Sequence, residues 1–214
     1  YNNCIDTISK QVVVKASPSV DFAVPAACLN TPAGFAPDLT VTNVATISSW
    51  FWDFGDGNTS PAQNPSNTYA ASGTYTVKLT VTDITGCKKT VSHNIVIDPS
   101  PTAHFSAPLS VCAGAAADFQ NLSTPATGYI TQWQWNFGDG NIQVVNHPGN
   151  PDISHAYALP NSYIVTLKVT GSNGCSSSKS QVITVRPNPL ANFDFTPACV
   201  GTPVSFSDLS QTNG

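Results

Sequence analysis

Trp50-Phe51-Trp52-Asp53-Phe54-Gly55-Asp56-Gly57 recurs 83 positions later as Trp133-Gln134-Trp135-Asn136-Phe137-Gly138-Asp139-Gly140. Side chains alternate across an extended strand, so Trp50, Trp52 and Phe54 share one face, as do Trp133, Trp135 and Phe137. These six aromatics are unchanged between the copies, whereas Phe51 and Asp53 become Gln134 and Asn136. Burial of large rings constrains a face in this way, and outward positions are freer to vary. The six are therefore the expected structural core. Gly-Asp-Gly then supplies positive φ and a carboxylate for nearby backbone N–H groups, which predicts a tight turn. A catalytic carboxylate pair would need both Asp53 and Asp56, and the second copy keeps only Asp139. The remaining chemical reading is a hard cation such as calcium, with Asp53, Asp56 and Asp139 as candidate ligands.

The repeat extends outward from the octet. Val20-Asp-Phe22-Ala, Ala103-His-Phe105-Ser and Ala191-Asn-Phe193-Asp open three similar stretches, followed by Cys28, Cys112 and Cys199. Tyr75-Thr-Val-Lys-Leu-Thr-Val-Thr matches Tyr163-Ile-Val-Thr-Leu-Lys-Val-Thr, each leading to Gly-Cys at Cys87 and Cys175 and then to a Pro-containing junction. Such self-similarity marks a tandem array. The expected organisation is residues 1–18 as the closing strand of a preceding repeat, 19–99 and 100–188 as whole repeats, and 189–214 as the opening of another. A piece of a longer array is the corresponding expectation.

Within a repeat, strands are expected around Phe22 or Phe105, at Asp38–Val44 or Ala116–Leu122, along the octet, and after its turn. Two more follow, at Thr74–Thr82 or Ser162–Thr170 and at Val91–Ile97 or Gln181–Val185. About seven short strands per repeat predict a β-sandwich.

Composition agrees with an all-β chain. Charged residues make up 9%, all twelve acids are Asp, and Met is absent. The net charge is −4 and the eight Lys and Arg are scattered. No basic patch exists to neutralise phosphates, which argues against nucleic-acid binding. No apolar run reaches bilayer-spanning length, and no signal peptide opens the sequence.

Trp52-Asp-Phe-Gly-Asp-Gly57, Asn64-Pro65, Tyr69 and Gly73-Thr-Tyr-Thr-Val-Lys-Leu-Thr-Val-Thr-Asp83 together resemble the polycystic-kidney-disease (PKD) repeat. Trp135 to Gly140, Asn150-Pro151, His155-Ala-Tyr157 and Tyr163 to Thr170 resemble it again, departing at Asn136 and Asn161. The resemblance implies tandem immunoglobulin-like sandwiches in an extended array, with no catalysis. It implies an exported bacterial protein at the cell surface or outside the cell. Its expected partners are neighbouring repeats, like chains in a fibre, or surface glycans and proteins, and no cofactor is expected apart from calcium in some such modules. The first functional expectation is a stalk, fibre or adhesin segment. The alternative is an accessory carbohydrate- or protein-binding module of an extracellular hydrolase.

Six cysteines without a CxxC pair favour disulfides over zinc. Three pairings are open. Cys28–Cys87 with Cys112–Cys175 respects the repeat and closes loops of about 60 residues, a contribution of roughly 4 kcal/mol. It requires the first cysteine to reach the opposite pole of its sandwich. Cys28–Cys175 would instead staple repeats, and Cys4–Cys28, Cys87–Cys112 and Cys175–Cys199 would use all six.

The four histidines, His93, His104, His147 and His155, occupy non-equivalent places, and His155 is expected to hydrogen-bond in its loop. Asn58-Thr-Ser60 and Asn121-Leu-Ser123 are sequons, and Asp6-Thr7-Ile8 resembles a short O-glycosylation signal. The Asn141–Ser154 loop differs most between the copies and reads as neutral variation or as a recognition loop.

Overall fold

The alternating run after Gly73 forms one of the two longest strands of the first half of the computed structural model, which describes residues 7–12, 14–40, 42 and 47–211. Cys4 and Asp6 lie outside the described residues. Seven strands make up the first unit: β1 (Ala27–Cys28), β2 (Pro32–Gly34), β3 (Ile47–Asp53), β4 (Thr59–Ser60), β5 (Ser66–Thr68), β6 (Gly73–Asp83) and β7 (Lys88–Asp98). One sheet has the order β1-β7-β6-β3-β4, and the facing pair is β2-β5 with an isolated bridge between Phe22 and Pro37. Strand β6 buries Val77, Leu79 and Val81 and turns its threonines and Lys78 outward, as a period of two requires.

The second unit repeats the plan. Its strands are β8 (Phe105–Ser106), β9 (Ser110–Cys112), β10 (Ala116–Asn121), β11 (Ile130–Asn136), β12 (Ile142–Asn146), β13 (Ile153–Ala156), β14 (Asn161–Gly171) and β15 (Ser176–Arg186). They form the sheets β12-β11-β14-β15-β9 and β13-β10-β8. Strands β16 (Phe193–Phe195) and β17 (Phe206–Asp208) pair only with each other. The chain divides into units Tyr1–Asp98 and Pro99–Gly214, all β with no helix among the described residues. Among the described residues no helix is long and apolar enough to cross a membrane.

Each core is an aromatic cluster between two sheets. Trp52 meets Phe22 and Phe35 at ring-centroid distances of 5.0 and 5.8 Å, and Trp135 meets Phe105 and Phe119 at 5.1 and 5.6 Å. Each contact adds about 0.5–1.5 kcal/mol to the burial term. Trp52, Phe54, Trp133, Trp135 and Phe137 are buried, while Trp50 is half-buried at the core edge.

Both octet strands begin with the same irregularity. The register shifts between Ile47 and Ser49 and between Ile130 and Gln132. The bulged residue between them turns its hydroxyl onto the neighbouring strand. Ser48 Oγ donates to the Thr82 and Asp83 carbonyls at 2.9 Å, and Thr131 Oγ1 to those of Thr170 and Gly171 at 3.0 and 3.5 Å. The bulge thus leaves its carbonyl acceptors satisfied.

One strand expectation is corrected. The counterpart of β10 in the first unit is β2, not Asp38–Val44; Val41, Asn43 and Val44 lie outside the described residues. Asp38 instead closes a turn, its Oδ1 accepting from the Thr40 N–H and hydroxyl at 2.9 and 2.7 Å. The core residue Phe35 stands seven positions after Cys28, as Phe119 stands seven after Cys112. The Pro and Gly around Ala33 and Phe35 leave no alternating run to reveal it.

Candidate functional site

The octet turn is the densest polar feature of each unit. Phe54 N–H donates to the Asn58 carbonyl, and Phe137 N–H to that of Asn141, both at 3.1 Å. Gly55 and Gly138 have φ of +77° and +79°. A Cβ there would stand 2.7 Å from the Thr76 carbonyl oxygen or 2.6 Å from that of Ile164, so close approach and backbone conformation both require glycine.

The acids close this turn. Asp53 Oδ1 accepts from Gly55 N–H at 3.0 Å, and Asn136 Oδ1 from Gly138 N–H at 2.9 Å. The position needs one carbonyl-type acceptor, which either side chain supplies. Asp56 Oδ1 accepts from Asn58 N–H at 3.0 Å, and its Oδ2 from Asn58 Nδ2 at 3.1 Å and Asn67 Nδ2 at 2.7 Å. Asp139 repeats this with Asn141 N–H and Nδ2, both at 3.0 Å. His155 Nε2 stands 2.7 Å from Asp139 Oδ2, both side chains 15% exposed. The His155 ring also stacks on Phe137, centroids 3.9 Å apart.

Burial pushes the Asp56 carboxyl up, but the hydrogen bonds from Asn67 and Asn58 outweigh it and hold the group below the usual carboxylate range. Asp139 follows the same balance, with His155 and Asn141 as donors. Beneath each turn, a buried tyrosine hydroxyl donates to the octet strand: Tyr69 to the Phe54 carbonyl and Tyr157 to that of Phe137, both at 3.2 Å. Burial raises the pKa of both phenols.

Asp53, Asp56 and Asp139 therefore serve the backbone and neighbouring amides. No cluster of three or more His, Cys or Asp side chains able to hold a metal occurs among the described residues. His155, expected to hydrogen-bond, does so with Asp139, and Asn67, likewise two residues before the buried tyrosine, is the partner that repeat comparison missed, because the residue type changes while the job does not. Asn58, in the first sequon, spends its amide on Asp56 and on Asn67 Oδ1 at 3.3 Å. His93 pairs with Asp21 at 2.6 Å.

The cysteines depart from the repeat-based pairing. Cys28 and Cys175 are disulfide-bonded, while Cys87, Cys112 and Cys199 are free thiols. Neither Cys28–Cys87 nor Cys112–Cys175 forms. Cys28 is in register with Asp98 at the end of β7, and Cys87 precedes the first residue of the same strand. Cys112 and Cys175 likewise flank the two ends of β15. Eleven residues at about 3.3 Å each far exceed the roughly 7 Å Cα separation that a disulfide tolerates. Cys87–Cys112 and Cys175–Cys199 are also not formed.

A third version of the core face lies open. Phe193 and Phe206 correspond to Phe105 and Phe119, which are 3% and 1% exposed, yet they are 64% and 69% exposed. With Phe195 they line an apolar hollow of about 540 Å³.

Comparison with known proteins places these features in a family. The family model described as PKD domain matches residues 15–97 and 98–186. A pre-pro-metalloprotease, PrtV, of Vibrio cholerae is 32% identical over 97 residues, 45% of this chain and 11% of that protein. A microbial collagenase of Vibrio alginolyticus is 47% identical over 51 residues, 24% of this chain and 6% of that protein. The chain thus spans about a tenth or less of these relatives. The crystal structure of the PKD1 domain of the Vibrio cholerae metalloprotease is 30% identical, covering 40% of this chain and 96% of that one, with a TM-score of 0.35.

Proposed function

The chain belongs to the PKD-domain family, and we propose that it is a non-catalytic accessory segment of an extracellular hydrolase, positioning or binding the enzyme on a protein or polysaccharide polymer. The observation that carries this reading is the pair of relatives, a metalloprotease and a collagenase, of which segments like this one form a small part. The octet turns support the non-catalytic role, because their carboxylates are committed to hydrogen bonds within the turn. Polymer-facing modules work outside the cell, where collagen lies and where the disulfides of Cys28 and Cys175 persist.

The recurrence of the unit-opening pattern at Phe193 and Phe206 favours a second reading. Strands β16 and β17 carry residues like those that open each whole unit, as a stalk, fibre or adhesin built from many such units would. Cosedimentation of the purified chain with insoluble collagen and with insoluble polysaccharides separates the two. Saturable retention on one polymer is expected. Retention on none overturns the accessory reading and leaves the stalk.

A further inference from the structure

Three loops of the chain are built alike around a cysteine. The carbonyl of Cys28 accepts from Thr31 N–H at 3.1 Å, that of Cys112 from Ala115 N–H at 3.1 Å, and that of Cys199 from Thr202 N–H at 3.0 Å. The Thr31 and Thr202 hydroxyls add a second bond to the same carbonyls at 2.7 Å. Two residues after each cysteine stands a positive-φ residue, Asn30, Gly114 or Gly201. Cys87 and Cys175 share a different setting, the hairpin between the two long strands, where Asp83 Oδ1 accepts from Cys87 N–H and Asn173 Oδ1 from Cys175 N–H. The described cysteines therefore fall into two classes, and in each whole unit they occupy opposite ends of one strand, roughly 35 Å apart.

We propose that these classes are matched connectors between copies of the chain: a loop-class thiol (Cys112 or Cys199) bonds the hairpin-class thiol Cys87 of a second copy, never a cysteine of its own unit. The partner is a second copy of this chain presenting the opposite class, and among the described residues Cys87, Cys112 and Cys199 are the connector halves still carrying thiols. Three observations converge on this rule. Opposite poles forbid pairing within a unit. One member of each class, Cys28 and Cys175, is already oxidised. Cys112 and Cys199 are exposed, with Cys87 half-buried at its hairpin. Bond formation proceeds by exchange with a low-molecular-weight disulfide such as oxidised glutathione. The Cys87 thiolate displaces one of its sulfurs, and the Cys112 or Cys199 thiolate then displaces the second. Two protein thiols lose two protons and two electrons, and one small disulfide becomes two thiols.

The test is mild oxidation of the whole purified chain by glutathione disulfide, then non-reducing electrophoresis and peptide mapping. New cross-links are expected to join Cys87 of one chain to Cys112 or Cys199 of another. In a Cys4→Ser background, Cys87→Ser should cut their yield about tenfold or more, because Cys87 is the free hairpin-class thiol among the described residues. Cys112→Ser should leave the Cys87–Cys199 product, and Cys87→Ala serves as a second variant if serine disturbs the hairpin. Loop-to-loop links (Cys112–Cys112, Cys112–Cys199) in comparable yield would overturn the rule. So would glutathione adducts without cross-links, or any Cys28–Cys87 or Cys112–Cys175 peptide.

Discussion

The Tyr157 hydroxyl donates to the Phe137 carbonyl at 3.2 Å, and Tyr69 donates to the Phe54 carbonyl at the same distance. Each bond fixes the last core residue of an octet strand to the opposite sheet just before the turn. Tyr157→Phe keeps the ring and strands a buried carbonyl, at a cost of about 1–2 kcal/mol. In a domain of this size the melting temperature should fall by about 4–8 °C per kcal/mol, read by thermal denaturation.

The two central tryptophans are equally buried but not equally bonded. Trp135 Nε1 donates to the Pro151 carbonyl at 3.1 Å, while Trp52 Nε1 is buried without a partner. In the first unit the matching Pro65 carbonyl is taken by Phe35 N–H at 2.8 Å. Tryptophan to phenylalanine removes the same volume at either site. Trp135→Phe should therefore cost its unit about 1 kcal/mol more than Trp52→Phe costs the other, measured by denaturant unfolding.

Gly138 tests the turn itself. Alanine there would carry both a left-handed backbone and a Cβ against the Ile164 carbonyl. Gly138→Ala should cost about 2–3 kcal/mol, whereas Gly140→Ala, with open space around the added atom, should cost less. Equal effects on the unfolding midpoint would count against the close approach.

Much of this was legible in the sequence because period-two alternation marks a half-buried strand wherever the run is long. Trp52, Phe54, Trp135, Phe137 and the strands after Gly73 and Asn161 follow directly from it. Strand β2 did not, since three residues between Pro and Gly carry no period. The Asp56–Asn67 and Asp139–His155 contacts were hidden because a shared role is filled by unlike residues. Repeat symmetry misled for the cysteines: equal positions in sequence suggested pairing within a repeat, and the length of one strand forbids it.

Acid titration should read the turn carboxylates. The folded Asp139 carboxyl lies below its unfolded value, near 3.9. Its contribution is fully present above that unfolded value and is lost as pH falls through the folded one. Asp139→Asn removes this contribution, so the variant's stability should decline less than wild type between neutral pH and strong acid. His155→Asn, which copies the Asn67 arrangement, should retain the hydrogen bond and lose the stack on Phe137.

Hydrogen bonds from Asn58, Asn67, Asn141 and His155 hold the Gly-Asp-Gly acids in their turns, and the turns are expected to stand without a cation. Thermal unfolding in millimolar calcium against chelator, for the wild-type chain and an Asp56→Asn/Asp139→Asn variant, tests it most directly. The turn-closing arrangement predicts identical wild-type melting temperatures in both buffers and a variant destabilised equally in each. A calcium-dependent rise in the wild type that the double variant loses would contradict it.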